Sequence, residues 1–173
     1  MRPRRVRVAD DPVEVAGLIV EIDNRVLMPA NLVEWALKQA PSRIALCRRG
    51  TAEPAVRLEG REVHFGTGSD CVNYLDPFTG AARPCTLKDI QDSYRLVDAL
   101  PNIDFLMSFC MASDVDQMVS DRHQMRAMLM NSTKPILFVT TEFPGTVDVV
   151  KMAEAVAGGE EALRRNPICA LYI

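Results

Sequence analysis

The sequence predicts an α/β fold, either doubly wound or barrel, and two observations carry that expectation. After Pro84, segments whose apolar residues recur at helical spacing alternate with short apolar runs at 103–109, 136–140 and 168–173. Such alternation implies parallel strands joined by right-handed crossovers. Ahead of them, the stretch VHFGTGSDCVNYLDPFTGAARP, Val63 to Pro84, breaks a short apolar run into glycines and turn formers. A strand that ends in a loop has this composition, and such loops carry ligands more often than cores do.

Taken in order, Val13 to Val20 is apolar and β-branched and Asp23-Asn24 offers a turn, so a short strand or hairpin is expected there. Pro29 suits a first helical turn, and Leu32, Val33, Ala36, Leu37 and Ala40 keep helical spacing until Pro41, which sets a helix over Pro29 to Gln39. Ile44 to Cys47 is a small strand. Ala55 to Leu58 and Arg61 to Phe65 flank Glu59-Gly60 and are expected to pair across it, with Val63 and Phe65 on one strand face. Asn73, Asp76, Pro77 and Gly80 make Tyr74 to Pro84 a small hairpin.

Thr86 and Asp89 form a capping-box pattern, followed by Leu87, Ile90, Tyr94 and Val97 on one helical face. A strand over Ile103 to Phe109 follows. Ser113 is expected to cap the next helix, with Asp114 and Asp116 in its first turn, the stripe Val115, Met118, Val119, Met125 and Leu129, and Asn131 at its end. Ile136 to Thr140 is the next strand, and a helix runs through Val149 and Val156 to the Gly158-Gly159 break. Glu160 to Arg165 adds a turn, and ICALYI is the last strand. Residues 1–173 therefore make a single partial domain, with a helix and hairpin region over 1–85 and repeated α/β units over 86–173. An uncovered apolar strand at the end is an edge that natural sheets avoid, which suggests an incomplete sheet.

With 173 residues the chain has room for one domain, and a net charge of −3 with 25% charged residues argues against nucleic acid as a partner. Four arginines crowd MRPRRVRV, yet no signal-length apolar run follows and no stretch nears the roughly 20 residues of a membrane span, so a cytoplasmic protein without a membrane partner is expected. Five widely spaced cysteines imply reduced thiols, and the absence of close cysteine pairs argues against structural zinc.

Four stretches, RVLMPANLVEWALKQAPSRIALCRR, VHFGTGSDCVNYLDPFTGAARPCTLKDI, RLVDALPNIDFLMS and NSTKPILFVTT, resemble in order the trimethylamine methyltransferase superfamily. Its members move a methyl group from a tertiary or quaternary amine to a corrinoid protein. The resemblance implies the first part of a (β/α)8 TIM-type barrel, preceded by a short helix and small strands or hairpins. It also implies a cavity at the carboxyl ends of the strands, no cofactor bound directly, and a corrinoid supplied by a partner protein. Trimethylamine, or glycine betaine and related quaternary amines, would be the substrate. Later strands, and the position where some members carry pyrrolysine, have no counterpart here, so a truncated chain inactive alone is expected. The alternative is a stand-alone α/β binding or interaction module that pairs its last strand with another chain, as in a homo-oligomer.

Methyl transfer from a quaternary amine asks for no strong acid or base at nitrogen, since the amine leaves neutral. The protein must hold the cation by carboxylates and aromatic faces and exclude water. Barrel enzymes place such groups at strand ends. These are Gly66 to Asp70, Ser108 to Met111 and Thr140 to Glu142, with Gly68, Ser69, Asp70, Ser108, Thr140 and Glu142 as substrate-binding candidates; catalytic residues are not identified. The glycine stretch is GxGxxC and leads to turn formers, so a phosphate loop is disfavoured. Asp76 and Thr79 are expected to bond their own backbone, Asp104 to serve structure, His64 and His123 to stay outside any site, the methionines to pack, and Cys110 to be a buried thiol. No GxSxG elbow or histidine pair occurs.

Overall fold

A computed structural model of the chain describes residues 20–22, 25–140 and 142–172. The chain divides into two units, Met1–Ser42 and Arg43–Ile173. In the first, β1 (Val20–Ile22) pairs antiparallel with β2 (Arg25–Leu27), and α1 (Ala30–Gln39) follows. Pro29 precedes α1 in extended conformation and Ala40 closes it by donating to Ala36 O, at the boundary that Pro41 enforces. Of the strand or hairpin expected over 13–20, residues 13–19 lie outside the described residues, as does the turn at 23–24, and Val20 opens β1.

The second unit opens with β3 (Ile44–Cys47) and β4 (Pro54–Leu58), an antiparallel pair. The partner of β4 is therefore β3, and the expected pairing of 55–58 with 61–65 does not form. Glu59-Gly60 does turn, with Gly60 at φ 60°, but the chain beyond it meets β4 through a side chain. Arg57 N–H donates to His64 Nε2 at 3.0 Å, and His64 Nδ1–H donates to Asp104 Oδ2 at 3.3 Å. Val63 and Phe65 remain exposed.

Parallel pairing begins at Gly66, which bridges Phe105, and continues at Cys71, which bridges Cys110. The Gly66 backbone comes so close that a Cβ there would lie 2.2 Å from the Phe105 ring. Segment 65–71 thus runs beside β7 (Leu106–Met107); β7 pairs parallel with β8 (Ile136–Val139), and β8 with β9 (Cys169–Tyr172). The order of these strands in the sheet is their order in the chain, without the reversal that a doubly wound sheet requires. Between segment 65–71 and β7 the chain makes the hairpin β5 (Asn73–Leu75) and β6 (Ala82–Pro84), then α2 (Leu87–Ala99).

Thr86 and Asp89 cap α2 reciprocally, as their spacing requires. The next helix begins later than its acidic residues suggest: Asp116 caps a 3-10 turn over 117–119, and α3 spans Ser120–Asn131. Asp114 is diverted to accept from Leu87 N at 2.8 Å, and the Ser113 hydroxyl donates to Cys85 O at 2.8 Å. Met118 and Val119, assigned to the buried stripe by spacing, are consequently exposed. α4 (Phe143–Ala157) ends at Gly158, φ 93°, in the left-handed region that favours glycine, and α5 (Glu160–Arg165) precedes β9.

The core lies between the sheet and α2, α3 and α4: Leu106, Ile136 and Phe138 pack against Ile90, Tyr94, Met125, Met128, Val149 and Ala153. Full burial of each large side chain is worth about 1.5–3 kcal/mol. The amino ends of the strands are closed by hydrogen bonds. Cys47 N donates to Pro167 O and Arg49 N to Thr133 O, which seats the β3–β4 hairpin under β8 and β9; the Arg49 guanidinium reaches Leu129 O. Asp98 accepts from the Ser132 hydroxyl at 2.8 Å and Thr133 N at 2.9 Å, and buried Lys134 donates Nζ to Val97 O and Leu100 O at the end of α2. Among the described residues no helix is long and apolar enough to cross a membrane.

Candidate functional site

The sequence-derived candidates lie on adjacent strands at one end of this sheet. Asp70 N donates to Ser108 O at 2.6 Å, so the end of segment 65–71 lies against the end of β7. Val139 N donates to Ser108 Oγ at 3.1 Å, and Thr140 N donates to Tyr172 O at 3.1 Å, which carries the row across β8 to β9. Glu142 stands one turn further on, at the start of α4, where its carbonyl accepts from Thr146 N and Oγ1.

The candidates differ in their freedom to act. Ser108 is buried and its hydroxyl already serves the β7–β8 junction, taking the amide that a longer β7 would have accepted. Thr140 is also buried, and its Oγ1 has no hydrogen-bond partner among the described residues. Asp70 is exposed and holds φ 54°, the one positive φ of a non-glycine residue among those described. Desolvation raises its carboxyl above the ordinary range, against a hydrogen bond from Ser69 that lowers it. Gly68 is exposed and Ser69 half-buried, both beside it. A strained carboxylate on a strand end is the conformation in which functional groups accumulate.

Around this row, the 73–84 hairpin is fixed to α2. Arg83 forms a two-pronged pair with Asp89 at 2.7 and 2.8 Å, approaches Asp76 at 3.5 Å, and lies 4.9 Å from the centre of the Tyr74 ring. The hydrogen bonds from Arg83 hold the Asp89 carboxyl well below its usual range, and Asp89 in turn raises Arg83. Tyr74 meets Phe109 edge-on, centroids 6.4 Å apart. Asp76 accepts from Phe78 N and Thr79 N, as its turn role requires, and those bonds lower its carboxyl. Phe78, at the tip, is 95% exposed. Neither the Arg83–Tyr74 contact nor this staple was anticipated from the sequence; the arginine six residues before Asp89 was its only signal.

The remaining candidates behave as structure. The glycine stretch runs into β5 and no helix follows it, so it is no phosphate loop. Asp104 accepts from His64 and from Phe65 N, at 3.0 Å for the latter, which supplies the partners that a half-buried carboxylate needs. His123 is exposed on α3. Among the described residues no group of three or more His, Cys, Asp or Glu could hold a metal ion. A cleft of about 500 Å³ opens at the opposite end of the sheet, where Arg49, Thr51, Val156, Ala162 and Asn166 line it. It offers a cation no carboxylate or aromatic face, so the strand-end row is the better candidate.

Comparison with known proteins joins this geometry to a family. A trimethylamine methyltransferase MttB of Desulfitobacterium hafniense is 31% identical over 153 residues, covering 88% of this chain and 31% of that protein. A trimethylamine methyltransferase MttB of Methanosarcina barkeri is 31% identical over 158 residues, covering 88% of the chain and 32% of that protein, and one of Methanosarcina thermophila is 29% identical over 163 residues, covering 91% and 34%. The chain thus spans about a third of the length of these curated relatives. The sequence profile of the trimethylamine methyltransferase (MTTB) family matches residues 5–173, and the chain belongs to that family.

Proposed function

We propose that this chain forms opening strands of a (β/α)8 barrel that transfers a methyl group from a tertiary or quaternary amine, trimethylamine or glycine betaine, to the cobalt of a corrinoid protein. The observation that carries the proposal is the row of Asp70, Ser108 and Thr140 on neighbouring parallel strand ends, in a chain of this family. Sequential strand order supports the barrel, because right-handed crossovers between sequential strands put every helix on one face of the sheet.

In this proposal the reduced corrinoid supplies the nucleophile that takes the methyl group. The chain's own residues bind and orient. Asp70 offers a carboxylate to the cationic nitrogen, and the strained backbone beneath holds it at the mouth of the row. The buried Thr140 hydroxyl, without a partner among the described residues, is the group left to bond a ligand at the row. The relatives' greater length leads us to expect turnover only when further strands close the cavity.

Calorimetric titration with trimethylammonium and with glycine betaine tests the binding step. Saturable binding that Asp70→Asn weakens at least about tenfold is expected, a loss of about 1.4 kcal/mol; binding indifferent to that change would remove Asp70 from the site. Incubation with amine and reduced corrinoid protein is expected to leave the cobalt spectrum unchanged for this chain alone, and methyl-cobalt formation would overturn the need for further strands.

A further inference from the structure

Three of the five cysteines meet at the carboxyl end of the sheet, and the amine reading uses none of them. Cys71 and Cys110 are lateral partners on parallel strands: Cys71 N donates to Phe109 O at 3.3 Å, Met111 N donates to Cys71 O at 2.9 Å, and Cys110 Sγ donates to that same carbonyl at 2.8 Å. Partners in a parallel pair present their side chains to one side of the sheet. Their strands lie about 4.8 Å apart, within the roughly 4.4–6.8 Å between Cα atoms that a disulfide spans. Cys71 is exposed on the outer strand, whereas Cys110 and Cys85 are buried. We propose that Cys71 and Cys110 form a site of reversible oxidation, closed to a disulfide by hydroperoxides.

The division of labour follows from exposure. A hydroperoxide meets Cys71 first: its O–O bond breaks, the sulfur loses two electrons and becomes a sulfenic acid, and an alcohol or water leaves. The Cys110 sulfur then attacks the Cys71 sulfur. An S–S bond forms, the S–O bond breaks, and the hydroxyl departs as water with the proton that Cys110 gives up. Two thiols and one hydroperoxide thus yield one disulfide, one alcohol or water, and one water. Burial raises the Cys110 and Cys85 thiols, which keeps both unreactive toward reagents in solvent and leaves Cys71 as the point of entry. Cys85 also contacts Cys110 and donates to Thr86 O at 3.6 Å, so it is the competitor for the same sulfur. The crosslink would lie one residue beyond Asp70 and two beyond Ser108, fixing the two strand ends to each other.

Treatment of the intact chain with hydrogen peroxide, alkylation under denaturing conditions and peptide mapping without reductant test the proposal. The expected result is loss of two thiols per chain, a crosslinked peptide containing Cys71 and Cys110, and full recovery with dithiothreitol. Cys71→Ser and Cys110→Ala should each abolish the crosslink, and Cys85→Ala should leave it intact. Because Cys110 and Cys85 are core residues, the exposed Cys71→Ser variant decides the case if the other two do not fold. A Cys85–Cys110 crosslink, overoxidation of Cys71 without any crosslink, or retention of all thiols would each overturn it.

Discussion

The two ends of the parallel sheet are built from different chemistry. At the amino ends, Lys134 caps α2, Asp98 gathers Ser132 and Thr133, and His64 joins β4 to Asp104. At the carboxyl ends, Asp70 sits at positive φ with a desolvated carboxyl, the Thr140 hydroxyl lacks a partner among the described residues, and Val72, Phe78 and Phe143 face solvent. One end satisfies its polar groups internally; the other keeps groups that a ligand could satisfy. Stability concentrated away from a site lets the site tolerate strain.

That contrast can be broken by substitution, and the largest effect belongs to the amino end. Lys134→Met removes the charged donor that Val97 O and Leu100 O receive beside the amides of Leu100 and Ile103, and Asp98→Ala takes the acceptor from the Ser132 hydroxyl and the Thr133 amide; each should cost about 2–3 kcal/mol, read as a lowered urea midpoint. Asp98 also predicts a pH dependence. Burial alone would raise its carboxyl, but the bonds from Thr133 and Ser132 prevail and lower it. A carboxyl lowered by folding contributes stability above its unfolded value of about 4, and this is lost as pH falls through the folded value. Acid titration of the wild type should therefore show a loss below about pH 4 that Asp98→Ala lacks in part.

Gly66→Ala sharpens the comparison at intermediate size. The added methyl meets the Phe105 ring, so a cost of about 1–3 kcal/mol is expected, again as a lowered urea midpoint. At the carboxyl end the sign should reverse. Asp70→Gly relieves the positive φ and should raise stability by about 0.5–1 kcal/mol while, under the proposed function, abolishing amine binding in calorimetry. Phe78→Ala should leave stability in urea unchanged within about 0.5 kcal/mol, since the ring is 95% exposed. If Asp70→Gly or Phe78→Ala destabilised as much as Lys134→Met, the two ends would be alike and the division of roles would fail.

What could be anticipated from sequence was local. The Thr86–Asp89 box, the Asp76 turn and the Gly158 stop each depend on a few consecutive residues whose chemistry allows little else. Strand partners depend on distant residues. Arg61 to Phe65 has strand-like alternation, yet β3 had already taken the edge of β4 and His64 replaced the ladder with its ring. The late start of α3 has the same origin: Asp114 has the spacing of a first-turn carboxylate, but Leu87 N, 27 positions earlier, claims it. Within the site, spacing pointed to Asp70, Ser108 and Thr140 as strand ends. It did not reveal that Ser108 is spent on Val139 N while Thr140 is unpartnered among the described residues, because that depends on how far β7 extends.

Sequential strand order carries a consequence for how the chain assembles during synthesis. Each new strand joins the edge laid down just before it, with pairing separations of 30 residues from Leu106 to Ile136 and 33 from Ile136 to Cys169. A nascent chain leaving the ribosome can therefore dock these parallel strands one at a time, in the sequence in which they emerge, whereas the β3–β4 hairpin gains its seat only once Thr133 and Pro167 are made.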